Sequence, residues 1–227
     1  MDKWKLVSDS SSDLTREEHS QCFSVPFVSA PLIVKVENTD YVDVYSTDPV
    51  EMTEHIRRWG KPCTTSCPSL SEYLKAFQDA ENVICVTISS DLSGSYNSAL
   101  QAKAIILEEH PERNIHIVDS RSTAGNMVLI MRKADELIKN GGEFKEIAEN
   151  LEKYRDSMKI VFSLASFDNL INAGRMSRIT GMIASALSIR PLAANSPRGT
   201  IDVIEKPRGE KKARERIVAR LGEYKDL

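Results

Sequence analysis

Twenty-five of the 227 residues are serine, and twelve of them fall in four short polar stretches. These are Ser8-Asp9-Ser10-Ser11-Ser12-Asp13, Thr64-Thr65-Ser66-Cys67-Pro68-Ser69, Ser89-Ser90-Asp91-Leu92-Ser93-Gly94-Ser95 and Asp119-Ser120-Arg121-Ser122-Thr123-Ala124-Gly125. Neutral hydroxyls beside the free N–H groups of helix N-termini suit an anion such as a carboxylate or a phosphate. The same residue types also serve as helix caps and turn formers. Nucleophilic catalysis by a serine needs a base within hydrogen-bond reach, and none of His19, His55, His110 and His116 lies in these stretches. There is no Gly-x-Ser-x-Gly elbow, no Walker A loop and no Gly-x-Gly-x-x-Gly. Cys63 and Cys67 are four apart with no histidine nearby, which falls short of a zinc site. No metal and no cofactor are expected.

The elements that must position these stretches follow from the hydrophobic pattern. Lys5-Leu6-Val7, 83–88 and 115–118 read as short buried strands, each followed by a serine-rich loop. After the second and third loops the period becomes helical, over 96–109 and 127–139, and 143–156 is a further amphipathic helix. Strand, loop and helix in alternation predict an α/β protein with a parallel sheet and crossover helices. Ligands of such sheets sit at the carboxyl ends of the strands, so the three loops should gather on one edge. Between the first two strands, 31–36 and 40–44 read as a hairpin about Glu37-Asn38, and 49–59 as a helix with Asp48 as N-cap and Pro49 at its first position. Ser69 and Glu72 read as a capping box for a helix over 70–80.

The character of the chain changes near Ser157. Strands are expected over 159–165, 188–192 and 201–204, with a turn at Asn195-Ser196-Pro197-Arg198-Gly199. Helices are expected over 167–173, 179–187 and 210–221. The division is therefore 1–157 for a first α/β domain carrying the serine-rich loops and 158–227 for a second α/β domain. Asp168, Gly174, Arg175 and Arg178 bracket a turn that could hold an anion or a salt bridge. Eight basic and four acidic residues between 206 and 226 read as a solvated helix face.

Composition narrows the class. With 41% hydrophobic and 28% charged residues the chain reads as a soluble globular protein. No apolar run approaches the roughly 20 residues of a membrane-spanning helix, and no signal segment is seen at the N-terminus. A formal charge of −3 gives no reason to expect nucleic acid. Four cysteines in this length do not form a disulfide framework, which suggests the cytoplasm.

The ordered set of motifs resembles the DegV family. Ser8 to Asp13 resembles its opening motif, Thr64 to Ser69 its Thr-Ser-x-Pro-Ser loop, and Ser89 to Tyr96 its Ser-Ser-x-Leu-Ser-Gly-Thr/Ser-Tyr motif. Asp119-Ser120, Leu170 with Gly174-Arg175-Met176-Ser177, and Ile189-Arg190-Pro191-Leu192 follow in the family's order. The resemblance implies a bacterial two-domain protein that holds one long-chain fatty acid between its domains and presents the carboxylate to a separate fatty acid kinase, which forms the acyl phosphate. It implies that Thr65 and Ser93 hydrogen-bond the carboxylate; Thr64, Ser66, Gly94, Ser95 and Ser10 complete the expected ligand site. Arg175 matches a Gly-Arg implicated in the kinase partnership. Met176, Met182, Ile183, Ala186, Leu187 and Ile189 are candidates to line the acyl tunnel. Family chains usually continue through another strand, helix and strand to a histidine-containing, glycine-rich segment, whereas this sequence stops at Leu227. The second domain is accordingly expected to be partial. The leading expectation is a non-enzymatic lipid carrier. The alternatives are a hydrolase or transferase using Ser93 or Thr65 as nucleophile, and an anion sensor without a lipid tail.

Overall fold

The computed structural model describes residues 2–14, 22–176 and 189–223. The expected helix over 179–187, with Arg178, Met182, Ile183, Ala186 and Leu187, lies outside the described residues, as does His19.

Four parallel strands form the central sheet in the order β2-β1-β6-β7. They are β1 (Asp2–Asp9), β2 (Phe27–Ala30), β6 (Ala80–Thr87) and β7 (Asn114–Asp119). Alternation along the strands sends side chains to two apolar faces. Val7, Val83, Cys85, Ile115 and Ile117 pack with Tyr73 and Phe77 near helix α2 (Leu70–Ala76) and with Ala99 and Ala102 of α3 (Ser95–Glu109). On the other face Leu6, Ile84, Val86 and Val118 meet Met127, Ile130 and Met131 of α4 (Gly125–Lys139) and Ile147 and Leu151 of α5 (Phe144–Ser157). The strand order places β2 on one side of β1 and β6 on the other. This reversal of direction is the point where open α/β sheets leave a crevice.

A second sheet, β4-β3-β5, is inserted between β2 and α2. The hairpin β3 (Ile33–Val36) and β4 (Thr39–Val42) turns at Glu37, whose φ is 56°. Helix α1 (Pro49–Trp59) begins as its sequence predicts, with Asp48 accepting from Val50 N at 2.8 Å and Pro49 inside the first turn. The third sheet, β10-β9-β8, is antiparallel and is built from β8 (Val161–Ser163), β9 (Leu192–Asn195) and β10 (Ile201–Glu205). Phe167, Met176 and Ala193 form its small core beside the short helix α6 (Asp168–Asn172). Helix α7 (Glu210–Glu223) buries only Ala213 fully. No described helix is long and apolar enough to cross a membrane.

Several elements depart from the sequence expectation. The helix after Ser69 stops at Ala76 because Asp79 is left-handed (φ 61°) and Ala80 already belongs to β6. The buried Arg113 guanidinium holds this tight junction by donating to the carbonyls of Phe77 and Ala80. Only half of the capping box forms: Ser69 Oγ accepts from Glu72 N at 3.3 Å, while the Glu72 carboxylate pairs with Lys75. The strand expected over 188–192 is displaced to Leu192–Asn195. Pro191 has no N–H for a ladder, and Ile189 makes only an isolated bridge to Arg208. The strand expected over 159–165 shortens to Val161–Ser163. Residues 27–30 and 64–66 form strands β2 and β5 that the pattern did not indicate.

With so little apolar burial, α7 depends on an ionic clamp. Glu205 at the end of β10 accepts from Arg216 Nε at 2.5 Å and Nη2 at 2.9 Å, and from Arg220 Nε at 2.7 Å. The Arg216 hydrogen bonds, supported by Arg220, hold its carboxyl at about 2 against an ordinary 4.5. A depressed carboxyl stabilises the fold above its ordinary pKa and loses that contribution as pH falls through the depressed one. Amides of α7 should therefore lose hydrogen-exchange protection between pH 4.5 and about 2, before those of the central sheet, and Glu205→Gln should show the loss already at neutral pH.

Candidate functional site

The carboxyl end of β1 enters a single 3-10 turn, Ser10–Ser12, capped by Asp9. Asp9 is fully buried and has no cationic partner among the described residues; its neighbours are hydrogen-bond donors from three segments. Oδ1 accepts from Ser11 N at 3.2 Å and from the Ser11 hydroxyl. Oδ2 accepts from Ile88 N at 2.9 Å and Ser95 Oγ at 2.5 Å. Ser95 Oγ also meets Tyr73 OH at 2.6 Å. The first loop, the loop after β6 and the start of α3 are thus tied to one carboxylate at the β1–β6 crevice. Burial raises the Asp9 carboxyl above its ordinary 3.8, against the lowering effect of the Ser11, Ser95 and Ile88 hydrogen bonds.

The loop after β6 is a compact turn built on Ser89. The Ser89 carbonyl accepts from Leu92 N at 3.0 Å and Ser93 N at 3.1 Å, and its own N–H donates to Ser122 O at 2.9 Å. Ser93 Oγ accepts from Ser95 N, the first amide of α3, at 3.2 Å, and among the described residues the Ser93 O–H has no acceptor, so it can donate to a ligand. The segment expected to be a loop at Thr64-Thr65-Ser66 is strand β5, paired with β3 through Ile33–Ser66, Val34–Thr65 and Lys35–Thr64. All three residues are exposed, and the Thr64 and Thr65 hydroxyls have no hydrogen-bond partner among the described residues. Cys67, just past β5, brings this strand to α3. Its Sγ lies 3.9 Å from Ser98 Oγ, and a Cβ on Gly94 would lie 3.3 Å from the same sulfur.

The Gly174-Arg175 turn reaches the same place. Gly174 is left-handed at φ 72°, and Arg175 donates from Nε to the carbonyl of Leu92 at 3.1 Å and from Nη1 to Ala173 O at 2.6 Å. The guanidinium, which the family resemblance associates with a partner, thus binds the residue next to Ser93. The structure therefore sets Arg175 beside Ser93 and Gly94, and Cys67 carries the end of the strand that bears Thr65 to Gly94. It commits two other expected ligand residues internally: Ser95 is buried between Asp9 and Tyr73, and Ser10 Oγ accepts from Leu32 N at 3.0 Å. Thr64 and Ser66 flank Thr65 on the strand. His55, His110 and His116 lie elsewhere, paired with Tyr41 and Glu37, with Glu112, and with Glu152. Met176 is buried in the small core of the third sheet, and Ile189 is half-buried. Among the described residues, no group of three or more His, Cys, Asp or Glu side chains could hold a metal ion.

A family model described as an uncharacterised protein of the DegV family matches residues 3–226. The chain belongs to the DegV family. A DegV domain-containing protein of Streptococcus pneumoniae is 39% identical over 210 residues, which cover 92% of this chain and 74% of that protein. Among solved structures, the Streptococcus pneumoniae fatty acid kinase (Fak) B3 protein, loaded with linoleic acid, is 36% identical with a TM-score of 0.90. The match covers 97% of this chain and 78% of that one. A DegV family protein of Eubacterium eligens loaded with heptadecanoic acid is 31% identical with a TM-score of 0.89, over the same shares of the two chains. The α/β reading of the sequence holds for the whole matched DegV fold.

The residue that sequence reasoning passed over is Asp9. Its signal was available: an acidic residue at the last position of a buried strand, inside a run of serines. Both Asp9 oxygens accept from a backbone N–H, so an asparagine amide must turn its NH2 against either Ser11 N–H or Ile88 N–H. Asp9→Asn should lower stability by about 1–3 kcal/mol in urea unfolding. A raised carboxyl contributes most below its ordinary 3.8 and less as pH rises through the raised value, so the gap between wild type and variant should widen as pH falls toward 3.8.

Proposed function

We propose that this DegV protein binds a long-chain fatty acid and presents its carboxylate to a partner fatty acid kinase without catalysing the transfer itself. The observation that carries this reading is the Arg175 guanidinium held on the Leu92 carbonyl beside Ser93 at the α3 N-terminus, with the strand that bears the Thr65 hydroxyl reaching Gly94 through Cys67. Hydroxyl donors and a helix N-terminus suit a carboxylate held ionised, with an oxygen free to attack the phosphoryl group that the kinase delivers. Fatty acids bound to relatives above 30% identity support the lipid, and the kinase named for one of them supports the partner. In this reading the chain divides near Ser157. The central sheet and its serine loops hold the carboxylate, and the part after Ser157 contributes apolar wall to the acyl chain. The setting is the cytosol.

Thr65→Ala and Ser93→Ala each remove one hydrogen bond to a charged group. Each should weaken fatty acid binding about tenfold or more in a fluorescent fatty acid displacement assay. Unchanged affinity in both would sink the assignment, and native mass spectrometry of purified protein that finds no bound fatty acid would sink the lipid itself.

Arg175 serves the transfer more than the binding. Its guanidinium lies at the surface beside Ser93, where it can neutralise an incoming phosphoryl group. Arg175→Ala should reduce acyl phosphate formation in a reconstituted kinase assay by a larger factor than it reduces fatty acid affinity. A parallel loss in both measurements would assign Arg175 to the carboxylate instead.

A further inference from the structure

The turn between β9 and β10 is pressed onto the loops that build the carboxylate site. Ser196 N donates to Thr200 O and Gly199 N to Ser196 O, both at 2.9 Å, which forms the turn. Gly199 is buried at φ +89°, and its missing side chain is the point of contact. A Cβ there would overlap Ser89 Oγ and lie 2.8 Å from Arg121 Cα. Side chains of real residues do not approach that closely, so the backbone of the turn sits directly on the Ser89 turn. Asn195 fixes the approach from the neighbouring position. Its Nδ2 donates to Arg121 O at 3.2 Å, and its Oδ1 accepts from Ile160 N at 3.1 Å. The exposed pair Arg198–Asp91, at 3.5 Å, adds little.

What Gly199 touches is the part of the site that aims Ser93. Ser89 takes the amides of Leu92 and Ser93 on its carbonyl, and Ser122, one residue from Arg121, takes the amide of Ser89. The Leu92 carbonyl is in turn the acceptor of Arg175 Nε. Displacing the turn by even one methyl group therefore moves the segment that carries both the proposed carboxylate donor and the contact of the proposed transfer arginine.

We infer that Gly199 and Asn195 are positioning residues for the ligand site. The β9–β10 turn seats the third sheet on the Ser89 and Arg121 loops and thereby sets the direction of the Ser93 hydroxyl. The inference rests on the fatty-acid reading for its ligand but not for its geometry. It also accounts for a glycine that the turn alone would not require to be buried. Neither residue meets the fatty acid; both act through Ser89 and Arg121.

The test separates positioning from stability. Gly209 shares the left-handed conformation, at φ +78°, but a Cβ there meets nothing within 4 Å. Gly199→Ala, Asn195→Ala and the control Gly209→Ala are compared by thermal melting, by fatty acid displacement, and by hydrogen exchange at the Leu92 and Ser93 amides of ligand-free protein. Gly199→Ala and Asn195→Ala should speed exchange at those amides and weaken affinity by about tenfold, the scale of one misaligned hydrogen bond to a carboxylate. Gly209→Ala should lower the melting temperature and change neither. Unchanged exchange and affinity in Asn195→Ala and in any folded Gly199→Ala overturn the inference, as does an equal loss in Gly209→Ala. If Gly199→Ala does not fold, Asn195→Ala decides. If the wild type takes up no fatty acid, the functional reading fails while exchange at Leu92 and Ser93 still decides the positioning.

Discussion

The site depends on one buried carboxylate. Asp9 stands at the end of β1, at the crevice where the strand order reverses, and accepts from the first loop, from Ile88 and from Ser95. A buried anion without a cation is costly unless hydrogen bonds surround it. Each donor is therefore held where it is by the others, and any shift leaves a charge partly bare. This constraint turns three flexible, serine-rich segments into one rigid edge. It also explains why Ser95 is unavailable to a ligand while Ser93, two residues earlier, is free to be one.

Rigidity at this edge fits the proposed role of presenting a carboxylate. A serine nucleophile needs a base whose pKa lies near the working pH. The described part of this site offers an aspartate already surrounded by donors, and a guanidinium that donates to the Leu92 carbonyl. What remains is geometry: a hydroxyl from a strand, a hydroxyl from a helix cap, the helix N-terminus behind them and a cation at the mouth. In the proposed function their common target is an oxyanion held in a fixed direction.

Much of this was legible in the sequence, for physical reasons that can be named. Runs such as Val83-Ile84-Cys85-Val86 are apolar on both faces because helices cover both sides of a parallel sheet, so the strands and their carboxyl-edge loops could be placed. Caps such as Asp48 with Pro49 act within a few residues and read locally. The rest required partners distant in sequence. Thr64-Thr65-Ser66 has the composition of a loop and becomes a strand only because β3 offers an edge thirty residues earlier. The end of α2 was misplaced because it is set by Arg113, more than thirty residues further on. Strand β9 lies beyond Ile189-Arg190-Pro191 because pairing with Val161 to Ser163 selects the Leu192–Asn195 register, and local pattern does not encode a register.

The same distinction separates the residues that the sequence proposes for the site from those that support them. Thr65, Ser93 and Arg175 belong to motifs contiguous in sequence, and their chemistry is visible in their own side chains. Asp9 matters through the amides it collects from residues 11 and 88, and Gly199 matters through the side chain it lacks. One is a polar group whose importance is its burial, the other a space that two distant loops occupy. Neither property exists until the chain is folded. Candidate ligand residues can therefore be proposed from type and order, whereas those that hold them in place must be read from contacts. In this protein the second set spans the chain from β1 to the β9–β10 turn, which makes the direction of one hydroxyl at Ser93 a property of almost the whole fold.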